Sequence, residues 1–139
     1  MSDLWFEQMY ALYEESPVHC FFGLSLASLA AGMAVVAFEP RPEHRNAMGA
    51  IHGGILATIL DSALLQSVRT LVGPDDRPST LELKINYVAP AVEAPFSCRG
   101  RALRVGGTVG VAEAVLTDAA DDVVAASLGT IHIRRGRSE

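Results

Sequence analysis

The sequence predicts an α+β fold in which one antiparallel sheet wraps a single long helix. Three observations predict it. Residues 53–72 carry Leu56, Leu60, Ala63, Leu64, Ser67, Val68 and Leu71 at helical spacing, and Ile55 and Ile59 widen that apolar stripe to most of the circumference. Residues after 80 read as strand following strand. No second helix of comparable strength is present to cover the first, so the sheet itself must bury it.

The elements follow in order. Leu4, Trp5, Met9, Leu12 and Tyr13 recur at helical spacing with acids between them, which predicts an amphipathic helix over residues 3–15, stopped by Ser16-Pro17. Residues 20–38 hold no charge across nineteen positions, about the length of a membrane span. Gly23, Gly32, Ser25, Ser28 and five alanines dilute that stretch, and Leu24-Ser25-Leu26 alternates. Two buried strands separated by a turn at Ala30-Ala31-Gly32 are the preferred reading, with no membrane span. A polar loop over 40–49 leads to the long helix, whose narrow polar side is Thr58, Asp61, Ser62 and Arg69 and whose stop is Gly73-Pro74. Leu81, Leu83, Ile85 and Tyr87 alternate with Glu82, Lys84 and Asn86 as a half-buried strand. Strands over 96–105, 109–117 and 123–133 complete the pattern, joined by turns at Gly106-Gly107 and at residues 118–122.

At 139 residues the chain is sized for one domain, residues 1–139, with no linker or repeat dividing it. Half of it is hydrophobic and mean hydropathy is +0.26, which excludes a disordered chain. A net charge of −5, with no basic residue before Arg41, argues against nucleic acid as a partner. Cys20 and Cys98 fit no metal or disulfide spacing and read as reduced, buried thiols. The first seven residues lack the basic region that opens a signal peptide, and the expected location is cytoplasmic.

The chemistry gathers at the start of the long helix, in Arg45-Asn46-Ala47-Met48-Gly49-Ala50-Ile51-His52-Gly53-Gly54. Two glycines open a helix poorly, unless something must approach the free backbone N–H groups. Those donors, with the partial positive charge of the helix end, suit a carbonyl oxygen gaining negative charge. Two turns on, Asp61 interrupts an apolar run, and a carboxylate there must be solvated, paired or turned to a ligand.

Asn46, Gly49, His52, Gly53, Gly54 and Asp61 together resemble the signature of hotdog-fold acyl-CoA thioesterases of the phenylacetate-pathway (PaaI-like) type: Asn-x-x-Gly-x-x-His-Gly-Gly, then an Asp eight residues after the first of the paired glycines. The strand over residues 80–90 is similar to the family's strand after the helix, and the resemblance spans roughly residues 15–133. It implies that the Gly53 amide polarises the thioester carbonyl while Asn46 and His52 bind and orient it. It implies also that the partner subunit's Asp61 serves as general base or nucleophile, and that Thr80 holds the water or the carboxylate. Gly54, Ser62 and Arg104 are the implied substrate contacts. No cofactor or metal is expected, coenzyme A being part of the substrate, and the implied assembly is a homodimer that pairs again into a dimer of dimers. Phe21, Phe22, Leu64, Leu65 and Tyr87 are candidates to line the acyl pocket.

The chain departs from the family at the hairpin Gly106-Gly107-Thr108, where many members carry Lys or Arg for a coenzyme A phosphate. Arg99, Arg101 and Arg104 precede it, and Arg134, Arg135 and Arg137 form a basic tail. Each site residue also has an ordinary use: His52 as a cap, the glycines for packing, Asp61 as a solvated carboxylate, Asn46 in a turn, Thr80 as a strand former. A non-catalytic acyl-CoA or acyl-carrier binding module is the alternative on the same fold. A binder needs the Gly53 amide but no base, so Asp61 separates the two.

Overall fold

The computed structural model describes residues 2–137. Two helices come first, α1 (Asp3–Glu15) and α2 (Pro17–Phe22), then strands β1 (Leu24–Ala30) and β2 (Met33–Phe38). A single 3-10 turn (Pro42–His44) precedes α3 (Gly53–Arg69). Strands β3 (Arg77–Tyr87), β4 (Phe96–Val105), β5 (Val109–Thr117) and β6 (Val123–Arg134) follow. All six strands join one antiparallel sheet in the order β1-β2-β4-β5-β6-β3. The sheet curls around α3, as the sequence pattern predicts. Among the described residues, no helix is long and apolar enough to cross a membrane.

The inward face of the sheet explains how closely α3 is held. At mid-helix the facing residues are the smallest available: Gly100 on β4, Ala112 and Ala114 on β5, Gly129 on β6, all buried. A Cβ added at Gly100 would run into the Ala63 carbonyl of α3, so that strand position admits no side chain. Toward the ends of the trough the residues grow, with Phe38, Phe96 and Leu116 at one end and Ile131 and Ile133 toward the other. Leu56, Ile59, Leu60, Ala63, Leu64 and Val68 of α3 are lost from solvent into this trough. Gly53, Gly54, Ile55 and Ala57 keep some access to solvent at the start of α3, and beyond them only Thr58, Asp61, Leu65 and Arg69 do, spaced by three, four and four as one stripe along the helix.

Several local expectations are corrected. Residues 20–22 are helical rather than strand: Pro17 occupies the first turn of a new helix, where its missing N–H costs nothing, and Gly23 ends it with φ +67°. Cys20 is accordingly exposed, its Sγ donating to the Glu14 carbonyl at 3.1 Å, whereas Cys98 is buried as expected. Helix α3 ends at Arg69, three residues before the predicted 72. There Thr70 Oγ1 donates to the Ser67 carbonyl at 2.7 Å and accepts from Gly32 N at 2.8 Å, tying the helix end to the β1–β2 turn. Ser62 is not on the polar side of α3 but buried, 2.7 Å from the Tyr13 hydroxyl of α1.

Gly100→Ala is expected to wedge β4 off α3 and cost about 2–3 kcal/mol. Thermal denaturation should report a fall in Tm of roughly 5–10 °C, with Arg99→Ala, on the outer face next to it, nearly unchanged.

Candidate active site

The loop before α3 is built to present the helix N-terminus. Asn46 organises it: its Oδ1 accepts from Met48 N at 2.9 Å and Ala50 N at 3.2 Å, and Gly49 completes the turn with φ +82°. Arg45, which sequence reasoning passed over, clamps the same loop through Nη1 donating to the Gly49 and Val92 carbonyls at 2.7 and 2.9 Å. Asn46 also lines the groove beside the helix start, and its side-chain amide nitrogen makes no hydrogen bond among the described residues.

His52 is the N-cap of α3, and its Nδ1 accepts from Gly54 N at 3.0 Å. An accepting Nδ1 places the ring proton of neutral His52 on Nε2, directed away from the helix. A Cβ on Gly54 would press within 3.1 Å of that Nδ1, which accounts for the second glycine. The Gly53 N–H, by contrast, has no acceptor among the described residues. Its carbonyl accepts from the Tyr87 hydroxyl at 2.9 Å, and the Tyr87 ring lies against Gly53 Cα. An unpaired amide at the positive end of a helix, its residue held by a tyrosine, is a preorganised donor.

Around this amide opens a groove of about 570 Å³, lined by Asn46, Met48, Ile51, Leu56, Tyr87 and Pro90 among others. Of the residues expected to line an acyl pocket, Tyr87 is there. Leu64 is instead fully buried beneath Gly129, and Phe21 and Phe22 belong to α2, where the Phe22 ring lies tilted against His44 with centroids 6.2 Å apart. Leu65 sits half-buried on the open stripe one turn after Asp61.

Asp61 lies on the open stripe, half-buried, with Oδ1 accepting from Thr80 Oγ1 at 2.6 Å. That contact depends on a feature the strand pattern does not announce. Simple alternation puts Thr80 on the outer face with Glu82 and Lys84. The β3–β6 register slips between Thr80 and Glu82, leaving Leu81 as an extra residue, and the slip turns Thr80 inward along with Leu83 and Ile85. The hydroxyl thereby reaches the helix.

Gly53 and Asp61 are eight residues apart on α3, about 12 Å at the helical rise. Ser62, an expected substrate contact, instead faces Tyr13 in the core. Burial pushes the Tyr13 phenol up to about 12, against the downward pull of the Ser62 hydrogen bond. Arg104 is exposed on β4 opposite Val111, toward the far end of the sheet from Gly53. Among the described residues, no group of three His, Cys, Asp or Glu side chains is placed to hold a metal ion.

Comparison with known proteins gives the family and the fold. The sequence model of the Thioesterase superfamily matches residues 48–125. A protein of Saccharolobus solfataricus that bears an esterase name is 33% identical over 115 residues, covering 83% of this chain and 81% of its own. The 1,4-dihydroxy-2-naphthoyl-CoA hydrolase of Listeria monocytogenes is 24% identical over 115 residues, 83% of this chain and 94% of its own. The E. coli PaaI protein superposes with a TM-score of 0.86 at 20% identity, covering 95% of this chain and 94% of that one, and shares the hotdog fold.

Tyr13→Phe is expected to destabilise the fold by about 1–2 kcal/mol, since the Ser62 hydroxyl stays buried without its partner. Chemical denaturation read as a shift in midpoint checks it. An unchanged midpoint would mean that Ser62 does not depend on Tyr13.

Proposed function

The chain belongs to the thioesterase superfamily and is a thioester hydrolase, and from that premise we propose that it cleaves acyl-CoA thioesters to a free carboxylic acid and coenzyme A. The observation that carries this reading is the pairing of Asp61, held by Thr80 on the one open stripe of a buried helix, with the unpartnered Gly53 N–H.

The chemistry follows from the geometry. Thr80 donates to Oδ1 of Asp61 and leaves Oδ2 to accept a proton from water. The water oxygen attacks the thioester carbonyl carbon, and the negative charge that builds on the carbonyl oxygen is taken up by the Gly53 N–H. The C–S bond then breaks, and the proton held by Asp61 passes to the departing thiolate. The Nε2–H of His52 and the Asn46 amide orient the thioester from the loop side. The apolar part of the groove at Met48, Ile51 and Leu56 takes the acyl group.

About 12 Å of helix separates Gly53 from Asp61, too far for both to engage one thioester group. Two copies are therefore required, with the Gly53 amide of one facing Asp61 of the partner subunit. Strand β3 is the long open edge through which a second copy can pair.

Asp61→Asn is expected to lower kcat by about 10²–10⁴-fold with Tm and quaternary state preserved. Thr80→Val should lower kcat about tenfold with KM little changed, and Thr80→Ser should restore it, because the hydroxyl acts by positioning Asp61. Undiminished turnover by Asp61→Asn on a panel of acyl-CoA substrates would sink the catalytic assignment. A wild-type protein that binds acyl-CoA without consuming it would favour the binding-module alternative.

A further inference from the structure

We propose that His44 is a positioning residue for the candidate reaction, holding the backbone that carries His52 and the Gly53 N–H, a reading that rests on the assignment of Gly53 above. His44 is the one buried histidine among the described residues, 5% exposed. It does not line the groove, and no step of the proposed reaction uses it. A buried imidazole must find its partners within the protein, so the atoms it binds show what it holds.

The ring closes a turn. Nδ1 accepts from Arg41 N at 2.9 Å, and His44 N donates back to the Arg41 carbonyl at 3.0 Å. This reciprocal pair is a capping box, in which Glu or Gln ordinarily supplies the side-chain acceptor. An accepting Nδ1 leaves the proton of the neutral ring on Nε2. Arg45 N donates to the Pro42 carbonyl at 3.1 Å and completes the 3-10 turn. Arg41 ties the turn to α2 through Nη2, which donates to the Cys20 carbonyl at 2.7 Å. The imidazole lies tilted against Phe38 and Phe22, with ring centroids 5.5 and 6.2 Å away. Phe38 is buried and packs on Phe96 of β4, so the ring of His44 is seated on the core of the sheet.

From this seat His44 controls the base of the loop that ends at α3. Its carbonyl accepts from His52 N at 3.0 Å. Just inside, Arg45 and Ile51 form an antiparallel bridge, and Asn46 N donates to the Ala50 carbonyl at 2.7 Å. Residues 44 and 52 are therefore the two sides of one hairpin base. The peptide that His44 grips through His52 N is followed directly by the peptide that carries the Gly53 N–H. Tyr87 reaches Gly53 from β3 and fixes its carbonyl, whereas His44 holds the backbone one peptide upstream from the side of β2 and α2. A rotation of the 44–52 hairpin would swing the Gly53 N–H away from a bound carbonyl oxygen, and such a donor works only when it is aimed.

Two substitutions separate the acceptor from the ring. His44→Asn sets Oδ1 as many bonds from Cα as Nδ1 stands, so the Arg41 N–H keeps an acceptor while the ring contacts with Phe22 and Phe38 are lost. His44→Phe keeps a ring in that seat and leaves the Arg41 N–H without its acceptor. A residue that serves packing alone is hurt more by the first change, and one that positions the hairpin through Nδ1 is hurt more by the second.

Steady-state kinetics on a panel of acyl-CoA thioesters, joined to hydrogen exchange of the His52 amide read by NMR, tests this. His44→Phe is expected to lower kcat about tenfold with KM within about twofold, because His44 touches no substrate. His44→Asn should keep kcat within about threefold of wild type even though its Tm falls. In His44→Phe the His52 amide should exchange at least about tenfold faster, while the amide of Leu60 in the middle of α3 changes no more than it does in His44→Asn. A kcat preserved in His44→Phe, an equal loss of kcat in both variants, or a change confined to KM overturns the proposal. So does a His52 amide that exchanges at the wild-type rate in His44→Phe. A wild-type enzyme that turns over no acyl-CoA would defeat the acyl-CoA reading alone, and the His52 amide would still decide whether His44 holds the hairpin.

Discussion

The near-contact of α3 with the strands beneath it is the constraint from which the rest of the molecule follows. Because Gly100 lies against the Ala63 carbonyl and Gly129 against Leu64, the sheet can close around the helix until most of its circumference is out of water. A polar group on the enclosed side must then find a partner inside the protein. Ser62 finds Tyr13, Ser67 donates to the Leu64 carbonyl at 2.6 Å, and Thr70 binds Gly32. Only one stripe escapes this requirement, and it carries the carboxylate of Asp61. The packing that removes α3 from solvent therefore also dictates where a reactive group on α3 can stand.

The same tight packing makes the helix N-terminus usable. A helix begins with unpaired N–H donors, and most proteins satisfy them with caps or water. Here the cap is selective. His52 takes the Gly54 N–H and leaves that of Gly53, while the Tyr87 hydroxyl fixes the Gly53 carbonyl. The donor is held in place before any ligand arrives, so in the proposed reaction little reorganisation would be needed as charge develops on a bound oxygen. Asn46 and Arg45 support this at one remove by freezing the loop that delivers His52.

Hydrophobic periodicity carried the long helix and the strands along the chain, because those depend on local alternation that a single sequence displays, but it did not show that β3 leaves its neighbour β4 and pairs with β6 at the edge of the sheet. The constellation around Asn46, His52, Gly53 and Asp61 was legible too, since its spacing lies within sixteen residues of one loop and helix. What escaped was decided by contacts distant in sequence or by a single register slip. Nothing near Ser62 announces a tyrosine forty-nine residues earlier. Pro17 reads as a stop until its place in the first turn of a helix is known. Thr80 was singled out, but the strand alternation that identified β3 points it outward, and only the extra residue Leu81 turns it to Asp61. The arginines at 77 and 134 are fifty-seven residues apart and become neighbours only through β3–β6 pairing.

Strand β3 brings these threads together. Tyr87 at its end holds the Gly53 carbonyl and Thr80 holds Asp61, so one strand of eleven residues fixes both the helix-end donor's residue and the carboxylate. At a strand rise of about 3.3 Å per residue, Arg77 and Tyr87 lie about 33 Å apart, and the helix runs antiparallel beneath them. β3 is also an edge of the sheet, with one side of its backbone open. An edge strand left so long and uncovered ordinarily invites pairing with another chain. Pairing there would brace Thr80 and Tyr87 together, through the strand that carries them both. Pairing of two copies through β3 would then tie assembly to the proposed chemistry, because the same strand carries both Thr80 and Tyr87.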